Sequence, residues 1–434
     1  MKAFMLGWEF PPFISGGLGT ACYGLTKAMG RLGIRIAFVL PKAYMEDSSG
    51  PVRVLGAEGY IKDEEVSAFD HVNFHEISSS LRPYVSYTSD EEYLHGRGPF
   101  RKGNKYYTRS WHSQEVGQVE NYPQDLSEQV HRYTLKVMEI ATIEDFDIIH
   151  AHDWMTYPGG VAVAEATGRP LVVHVHSTEC DRSGDNLNQV VYDIERRGMH
   201  LADKVIAVSN YTKNIIIRRY GVDPEKVTVV YNGVEHDDSD QSAFSFERPD
   251  KMDKIVLFLG RITMQKGPEY FLMAAKKVLE KIENVKFVMA GDGDMTNRMV
   301  EFAAYLGIGH KVLFTRFLKG IDVDRAYQMA DLYVMPSVSE PFGIAPLEAL
   351  KFKVPVIVSK QSGIAEVLTH ALKVDFWDVH QMANKIVAVL KYPTLSRMLQ
   401  ERGHSEMYKF RWEDAAEKVK GVYEDVLAGQ PVSR

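Results

Sequence analysis

The sequence predicts an α/β protein built from two doubly wound domains that face each other across a central cleft. Short apolar runs typical of buried strands alternate with helix-like stretches in both halves of the chain. A polar, charged segment at residues 235–252 separates the halves and has the composition of a linker. Strands that alternate with helices pack as parallel sheets covered on both faces. We therefore expect one domain over residues 1–240 and a second over residues 250–409.

The composition limits the classes of function. The chain has 434 residues and a formal net charge of −7, which argues against a general nucleic-acid or anionic-membrane binder. Cys22 and Cys180 are far apart, so they indicate neither a disulfide framework nor a metal site and fit a reducing cytosol. No uncharged run approaches membrane-spanning length. We expect a cytoplasmic protein without stable membrane insertion.

The chain opens with the elements of a βαβ unit. Ala3–Gly7 is a predicted strand, Thr20–Leu32 a helix and Ile34–Leu40 the next strand. Gly16 and Gly17 stand in the intervening loop, where glycines allow backbone N–H groups to approach an anion closely. A plain strand-to-helix turn explains the same residues.

Residues 44–125 are less regular, with frequent Tyr, Gly, Asp and Arg, and we expect loops and short strands at the surface. Aromatic side chains with Arg and Gln could bind a sugar acceptor, as in Tyr93–Phe100, but an ordinary irregular insertion is an equal alternative. A helix is predicted over Gln124–Thr142.

Histidines and an aspartate cluster around the next two strands. The strand Asp147–Ala151 ends at His152 and Asp153, and polar residues at that end of a parallel strand line the ligand crevice. The strand that starts at Pro170 leads to His176. Because no cysteine or acid lies close by in matching register, we predict no metal site.

The remaining elements continue the alternation. Further strands are predicted at Leu201–Val208, Val227–Tyr231, Val285–Ala290, Val312–Phe314, Leu332–Met335 and Val354–Val358, with one more that starts at Lys254. Helices are predicted at Asn188–His200, Pro268–Ile282, Leu347–Phe352 and Phe410–Leu427, with another that starts at the capping residue Ser209.

Two loops of the second half carry charged residues. The strand from Lys254 leads to Arg261 and Lys266, which are either ligands of an anion or part of a solvated loop. After the strand Leu332–Met335, Glu340 precedes a helix start, and Glu348 follows inside that helix.

A helix start of this kind attracts phosphate through its free N–H groups and dipole. Gly343 and Pro346 fit a tight turn into the helix. Carboxylates on either side, Glu340 and Glu348, could accept hydrogen bonds from the hydroxyls of a ribose and of a sugar, so the loop predicts a nucleotide-sugar site. Stabilisation of the acids by the dipole alone is the alternative.

The spacing of Glu340 and Glu348, with Pro-Phe-Gly after the first, resembles the signature of family-4 retaining glycosyltransferases of the GT-B fold. Gly-Arg followed by Lys-Gly at Arg261 and Lys266 resembles the same family. The resemblance implies that Glu340 binds the sugar hydroxyls and Glu348 the ribose. It also implies that the last helix, within residues 410–434, packs back on the first domain.

The resemblance assigns further roles. Arg261, Lys266, Gly17 and the N–H groups of Gly343 and Ile344 would bind the diphosphate, with both cations stabilising the leaving group.

His176 would lie against the donor sugar, where it helps to hold the positive charge that develops at the anomeric carbon. His152 and Asp153 resemble an acceptor-side loop of the family. No cofactor and no metal is expected.

The opening from Gly7 to Leu18 resembles small archaeal and bacterial glycogen synthases and places Glu9 on the acceptor side. The expected reaction transfers glucose from UDP- or ADP-glucose to the non-reducing end of an α-1,4-glucan. Ile14 and Ser15 replace the Lys-Thr of the ADP-glucose-dedicated synthases. Three alternatives stay open: a transferase for another glycan acceptor, in cell-surface polysaccharide or glycolipid synthesis, a nucleotide-sugar epimerase, and a non-catalytic sugar-binding protein.

Overall fold

The computed structural model describes residues 1–10, 17–42, 71–78, 126–236 and 253–429. Within these ranges the strands form two sheets, one in each half of the chain, and every strand pair is parallel. The predicted doubly wound α/β architecture is confirmed. The predicted domain division between residues 240 and 250 lies outside the described residues and stays a prediction.

The first sheet has the strand order β3-β2-β1-β4-β5-β6-β7. Its strands are β1 (Lys2–Leu6), β2 (Arg35–Lys42), β3 (Val72–Ser78), β4 (Ile148–His152), β5 (Leu171–Val175), β6 (Lys204–Ala207) and β7 (Val227–Val229). The chain therefore builds outward from β1 to one edge and then returns to start the other half at β4. Such a reversal opens a ligand crevice beyond the carboxyl ends of the two central strands.

The second sheet repeats this arrangement with the order β10-β9-β8-β11-β12-β13. Its strands are β8 (Lys254–Leu259), β9 (Val285–Ala290), β10 (Val312–Arg316), β11 (Leu332–Met335), β12 (Val356–Ser359) and β13 (Leu372–Val374). The reversal lies between β8 and β11, which places a second crevice beyond their carboxyl ends.

Helices cover both sheets. Those of the first half are α1 (Gly17–Arg31), α2 (Leu126–Ala141), α3 (Tyr157–Thr167), α4 (Glu179–Ser183), α5 (Gln189–Leu201) and α6 (Asn210–Tyr220). Those that follow are α7 (Pro268–Leu279), α8 (Thr296–Tyr305), α9 (Ile321–Met329), α10 (Ala345–Lys351), α11 (Gly363–Val367), α12 (Val379–Lys391), α13 (Pro393–Met407) and α14 (Trp412–Ala428). Short 3₁₀ turns lie at Pro224–Lys226, Met264–Lys266 and Gly309–Lys311.

Several predicted elements differ from the structure. The first helix begins at Gly17 rather than Thr20. The irregular stretch 44–125, where short strands are expected, contributes β3, which pairs with β2 at the edge of the sheet. Helix α4 has five residues and was not predicted, because one turn is too short to show a periodic apolar face.

Helix α14 packs against α1 and forms part of the core on one face of the first sheet. Trp412, Val419 and Tyr423 are buried there. Gly24 of α1 makes room for the indole, because a Cβ at this position would lie 2.2 Å from Trp412 Cε2. The last helix is therefore an integral part of the first half of the molecule. None of the helices in the described ranges combines the length and apolar composition that a transmembrane helix requires.

Two glycines in these packed helices test this contact. Gly24→Ala is expected to lower the free energy of unfolding by about 1–3 kcal/mol, because the buried indole has to move. The matched control is Gly421→Ala in α14, where a Cβ would meet no heavy atom within 4 Å. That change is expected to raise stability by about 0.5–1 kcal/mol through helix propensity. Chemical denaturation measures both, and equal effects of the two substitutions would contradict the packing.

Candidate functional site

The predicted site residues lie at the two chain reversals. In the first sheet Glu9 follows β1 and Asp153 follows β4. In the second sheet Arg261 follows β8 and Glu340 follows β11. Each pair therefore lies beyond the carboxyl ends of the two strands that flank a reversal, which is where open α/β sheets bind ligands.

Lys266 and Glu340 join the two loops of the second crevice. Lys266 Nζ lies 2.6 Å from Glu340 Oε2, and Ser337 Oγ donates to the same oxygen at 3.2 Å. Glu340 is only 7% exposed. A largely buried carboxylate needs such partners, since leaving it unpaired is costly. The two loops also meet through their backbones, because Val338 N–H donates to the carbonyl of Gln265 at 2.9 Å.

Glycines allow these loops to approach so closely. Gly267 has φ 65°, and a Cβ there would lie 2.2 Å from the carbonyl oxygen of Pro336. Gly343 has φ 102°, and a Cβ there would lie 3.3 Å from Glu340 Cγ. Gly343 directly precedes Ile344, the N-cap residue of α10. The N–H groups of the predicted phosphate turn therefore lie close to the Glu340 side chain.

Glu348 lies in the first turn of α10 and accepts a hydrogen bond from Tyr327 OH at 2.9 Å. Burial raises its pKa above the ordinary range, and the hydrogen bond from Tyr327 opposes this rise. The tyrosine holds one carboxylate oxygen in a fixed place on the helix that carries the predicted phosphate turn.

Arg261 lies beside the loop that contains Gly291 and Gly293. Burial raises the pKa of Asp294 in this loop, and the nearby charge of Arg261 lowers it in part. A Cβ on Gly291 would lie 1.9 Å from the carbonyl oxygen of Gly260, and one on Gly293 would lie 2.4 Å from that of Ile262. The Gly-Asp-Gly sequence is thus explained by two backbones that cross closely, without any ligand.

Four histidines form a stack at the carboxyl ends of β4 and β5. Ring centroids are 4.3 Å apart for His150 and His152, 5.2 Å for His152 and His174, and 4.3 Å for His174 and His176. The stack arises because the strands pair His152 with His174 and because alternate residues share a face. His152 Nδ1 lies 2.9 Å from His176 Nε2. Tyr423 of α14 reaches His150 Nδ1 at the other end of the stack.

These imidazoles are held in their neutral form. Burial lowers the pKa of His152 to about 3, and it also holds the pKa values of His150, His174 and His176 well below the ordinary range. Burial has the opposite effect on the neighbouring carboxyl of Asp153, whose pKa it raises to about 7.

Asp153 fixes the exit of β5. Its Oδ1 accepts the backbone N–H of His176 at 2.7 Å. Asp153 itself has φ 58°, a left-handed conformation that is uncommon outside glycine and that marks a constrained position. Asp153 therefore determines where His176 leaves the sheet.

Two groups of possible metal ligands occur in the described parts of the chain. Ligand atoms of Cys22, His152 and His176 lie within 4.8 Å of one another, as do those of His150, His152 and His174. Cys22 lies on α1, so sequence register along the histidine strands could not reveal it. The rings of His150 and His174 are almost parallel, at 10°. In-plane lone pairs of parallel rings run side by side and do not converge on one ion. The predicted absence of a metal stays a prediction.

Glu9 and Gly17 lie at the start of α1. Glu9 is buried, and its Oε2 accepts the N–H of Gly19 at 3.2 Å, where a carboxylate stabilises a helix N-terminus. Gly17 is exposed, and a Cβ there would meet no heavy atom within 4 Å. None of the described residues therefore fills the space beside Gly17. Gly16, Ser15 and Ile14 lie outside the described residues, as does the predicted acceptor stretch Tyr93–Phe100.

Hydrogen bonds connect the loop of Glu340 to the first half of the molecule. Ser339 Oγ donates to Asp181 Oδ1 at 2.5 Å. The carbonyl of Pro341 accepts hydrogen bonds from Ser209 Oγ at 2.5 Å and from Thr212 Oγ1 at 3.1 Å. These contacts bring the two crevices together into one cleft. Sequence reasoning missed them, because a capping serine and a buried aspartate carry no signal of a partner in the other half.

Two protein-family models match adjacent parts of the chain. The model described as Glycosyltransferase Family 4 matches residues 96–238, and the model described as Glycosyl transferases group 1 matches residues 239–406. Together they span more than half of the chain, including strands β4–β7 of the first sheet and the whole second sheet.

Three relatives show how widely this family varies. An uncharacterised glycosyltransferase of Methanocaldococcus jannaschii is 28% identical over 98% of both chains. A glycogen synthase of Mycobacterium tuberculosis is 23% identical over 98% of this chain and 94% of its own length. An α-1,3-galactosyltransferase of Escherichia coli that uses UDP-Gal and α-D-GlcNAc-diphosphoundecaprenol is 27% identical over 66% of this chain and 77% of its own length.

Solved structures share the whole fold. A sucrose-phosphate synthase of Thermosynechococcus elongatus has a TM-score of 0.72 at 17% identity and covers 99% of this chain and all of its own. The Anabaena protein HepE in complex with UDP-glucose has a TM-score of 0.67 at 17% identity and covers 98% of this chain and all of its own. With both sheets, both crevices and both family models in agreement, the chain belongs to the family-4 glycosyltransferases with the GT-B fold.

Proposed function

We propose that this glycosyltransferase moves glucose from UDP- or ADP-glucose to the non-reducing end of an α-1,4-glucan, with retention of the anomeric configuration. The observation that carries the donor half of this proposal is the Lys266–Glu340 pair beside the Gly343 turn. A cation, a carboxylate and the backbone N–H groups of a helix start meet there at a chain reversal. The acceptor half rests on the opening sequence from Gly7 to Leu18 and on the nearly full-length match to a glycogen synthase.

When the donor binds, Lys266 would exchange its ion pair with Glu340 for an ion pair with the diphosphate. Without donor, Lys266 neutralises Glu340. A bound diphosphate offers the ammonium group a second anion, which leaves Glu340 able to accept hydrogen bonds from the sugar hydroxyls. Arg261, Gly17 and the N–H groups of Gly343 and Ile344 would complete the diphosphate site.

Glu348, oriented by Tyr327, would hold the ribose. The complex of the structural neighbour HepE with UDP-glucose supports a donor of this class.

In the proposed mechanism, protein side chains match the charges that develop on the leaving phosphate and on the anomeric carbon in the transition state. The leaving phosphate gains negative charge, which Arg261 and Lys266 stabilise because they are already oriented. The anomeric carbon gains positive charge, and a neutral His176 does not repel it. The leaving phosphate would itself accept the proton of the attacking hydroxyl, so a front-face displacement needs no covalent nucleophile.

We propose that the reaction needs no metal ion, because two cationic side chains can neutralise the diphosphate directly. A cytoplasmic location is part of the same proposal and rests on the cysteine usage.

A transferase that acts on a lipid-linked or phosphorylated acceptor is the second candidate. The galactosyltransferase from Escherichia coli aligns over 66% of this chain, whereas the glycogen synthase aligns over 98%. The longer alignment therefore favours the glucan. An epimerase on the same fold would release no glycosylated product.

Labelled UDP-glucose or ADP-glucose, incubated with glycogen or maltooligosaccharides, tests the proposal. We expect label to enter polymer and to be released again by an α-1,4-specific amylase. The assay is run with and without EDTA, and we expect equal rates. Transfer of another sugar to a lipid or small acceptor, with no label in glucan from either donor, would contradict the proposed acceptor. Loss of activity in EDTA that Mg²⁺ restores would contradict the metal-free mechanism.

Substitution of either cation tests the donor site. Arg261→Ala and Lys266→Ala are each expected to reduce the transfer rate by about two to three powers of ten, the scale of one preorganised charge stabiliser. Lys286→Ala is the matched control, because this lysine is exposed and pairs only at the surface with Asp253. Nucleotide release by folded protein is the measurement. Unchanged turnover in both variants would remove this loop from the mechanism.

The imidazole stack predicts a pH effect on stability. The folded pKa of His152 is about 3, whereas the unfolded value is about 6.5. The unfolded chain therefore binds one more proton between these values, so this histidine lowers stability as the pH falls below 6.5. The His152→Gln variant lacks this contribution, so it does not lose stability at this position as the pH falls. From pH 7 to pH 5 the unfolding free energy should shift in favour of the variant by about 2 kcal/mol. Parallel pH profiles of variant and wild type would show that the ring is not held neutral.

A further inference from the structure

Helix α4 is anchored in its own half of the molecule by buried charges. Arg182 lies between Glu179 and Glu195, and its Nε is 3.3 Å from Glu179 Oε2. Tyr220 OH donates to the other oxygen of Glu195, so the carboxylate has partners on both sides. Because all these groups are buried or nearly so, each charge depends on these contacts in place of water. A helix of five residues is thereby held rigidly against the first sheet.

The two carboxylate oxygens of Asp181, in this helix, accept hydrogen bonds from different halves of the molecule. Oδ2 accepts the N–H of Thr178 at 2.8 Å and its hydroxyl at 2.7 Å, which closes a capping box. Oδ1 accepts the hydroxyl of Ser339, across the cleft, at 2.5 Å. One side chain therefore ties the position of α4 to the loop that carries Glu340.

The directions of the hydrogen bonds at Ser339 follow from the atoms available. A carboxylate is acceptor-only, so Ser339 must give its single hydroxyl hydrogen to Asp181. Tyr211 OH lies 2.9 Å from Ser339 Oγ and is therefore the donor in that contact. The chain of hydrogen bonds runs from Tyr211 through Ser339 to Asp181. Both ends belong to the first half of the molecule, and the middle belongs to the second.

The residue that follows Glu340 is held from the same side. Ser209 and Thr212 both donate to the carbonyl of Pro341. Glu340 thus lies between two residues, Ser339 and Pro341, that are fixed by the first half, while its own carboxylate contacts Lys266 and Ser337 of the second half. Helix α4 also packs against the turn Met264–Lys266, so it touches both loops of the ion pair.

We propose that Asp181, Ser339 and Tyr211 are positioning residues for glycosyl transfer. Their hydrogen bonds across the cleft fix the loop of Glu340, and the ion-paired groups reach the geometry that transfer requires only while the first half holds this loop. The inference rests on the proposed function in one respect, the contact of Glu340 with the donor sugar. None of the three residues needs to touch substrate, so each acts through Glu340 and Lys266.

Ser339→Ala removes the hydroxyl that links Tyr211 to Asp181, and it is the central variant. We expect kcat to fall about 10- to 100-fold, while KM for the donor changes less than about threefold, because groups that act in the transition state are misplaced but remain present. Ser405→Ala is the control. Its serine also lies in the second half, and its hydroxyl donates within α13 to the carbonyl of Glu401. We expect wild-type kcat for the control.

A double-mutant cycle separates positioning from general loss of structure. Tyr211→Phe loses only its hydroxyl and lies outside the capping box, so it should fold even if Asp181→Asn does not. In the Ser339→Ala background, Tyr211→Phe should have no further effect on kcat, because the contact that it removes is already absent. Additive effects on kcat, or a wild-type kcat for Ser339→Ala, would overturn the proposal.

Amide hydrogen exchange supplies a readout that needs no turnover. In Ser339→Ala, exchange should accelerate both in the loop 337–343 and in the helix 179–183, and Ser405→Ala should show neither change. Unchanged exchange at both segments overturns the proposal. The kinetic cycle uses nucleotide release from whichever nucleotide sugar the wild type turns over fastest. If the wild-type enzyme uses another donor or acceptor, the proposed glucan function is refuted. The positioning proposal can still be tested with that donor and acceptor.

Discussion

The ion pair between Lys266 and Glu340 is the interaction on which the candidate site depends. It joins the loops that follow β8 and β11, and it lies largely out of water, where each charge needs the other. The loops can meet only because Gly267 adopts a left-handed conformation against the carbonyl of Pro336. Asp181, which accepts a hydrogen bond from Ser339, and Ser209, which donates one to Pro341, then hold the same loop from the opposite half. Donor-binding groups of one half are thus arranged by side chains of both.

The sequence predicts those features of the fold and the site that are encoded locally. Apolar strand runs and the polar ends that follow them indicated two parallel sheets and put Arg261 and Glu340 at strand exits. Ser209 was expected to cap a helix, and it accepts the N–H of Thr212 as a cap does. The charged pair was expected to bind substrate, but its mutual contact was not foreseen, because the distance between two loops depends on how the strands are ordered in the sheet.

The parts that could not be predicted arise from tertiary contacts. The imidazole stack requires the register that pairs His152 with His174. Both strands are buried at every position, so they lack the apolar–polar alternation from which a register could be predicted. Cys22 joins it from a helix, far away in sequence. The contact of Asp181 with Ser339 depends on a single turn of helix whose position is set by buried charges. Such contacts determine the geometry of the site, whereas the sequence pattern indicates only its residue types.

The most direct test of the central claim is a crystal structure of the protein with an intact nucleoside diphosphate glucose bound. We expect the diphosphate beside Arg261 and the N–H groups of Gly343 and Ile344. Lys266 Nζ should lie within hydrogen-bond distance of a phosphate oxygen, and Glu340 should accept hydrogen bonds from the glucose hydroxyls. A nucleotide bound away from the carboxyl ends of β8 and β11, with the Lys266–Glu340 pair intact and remote from it, would contradict the account.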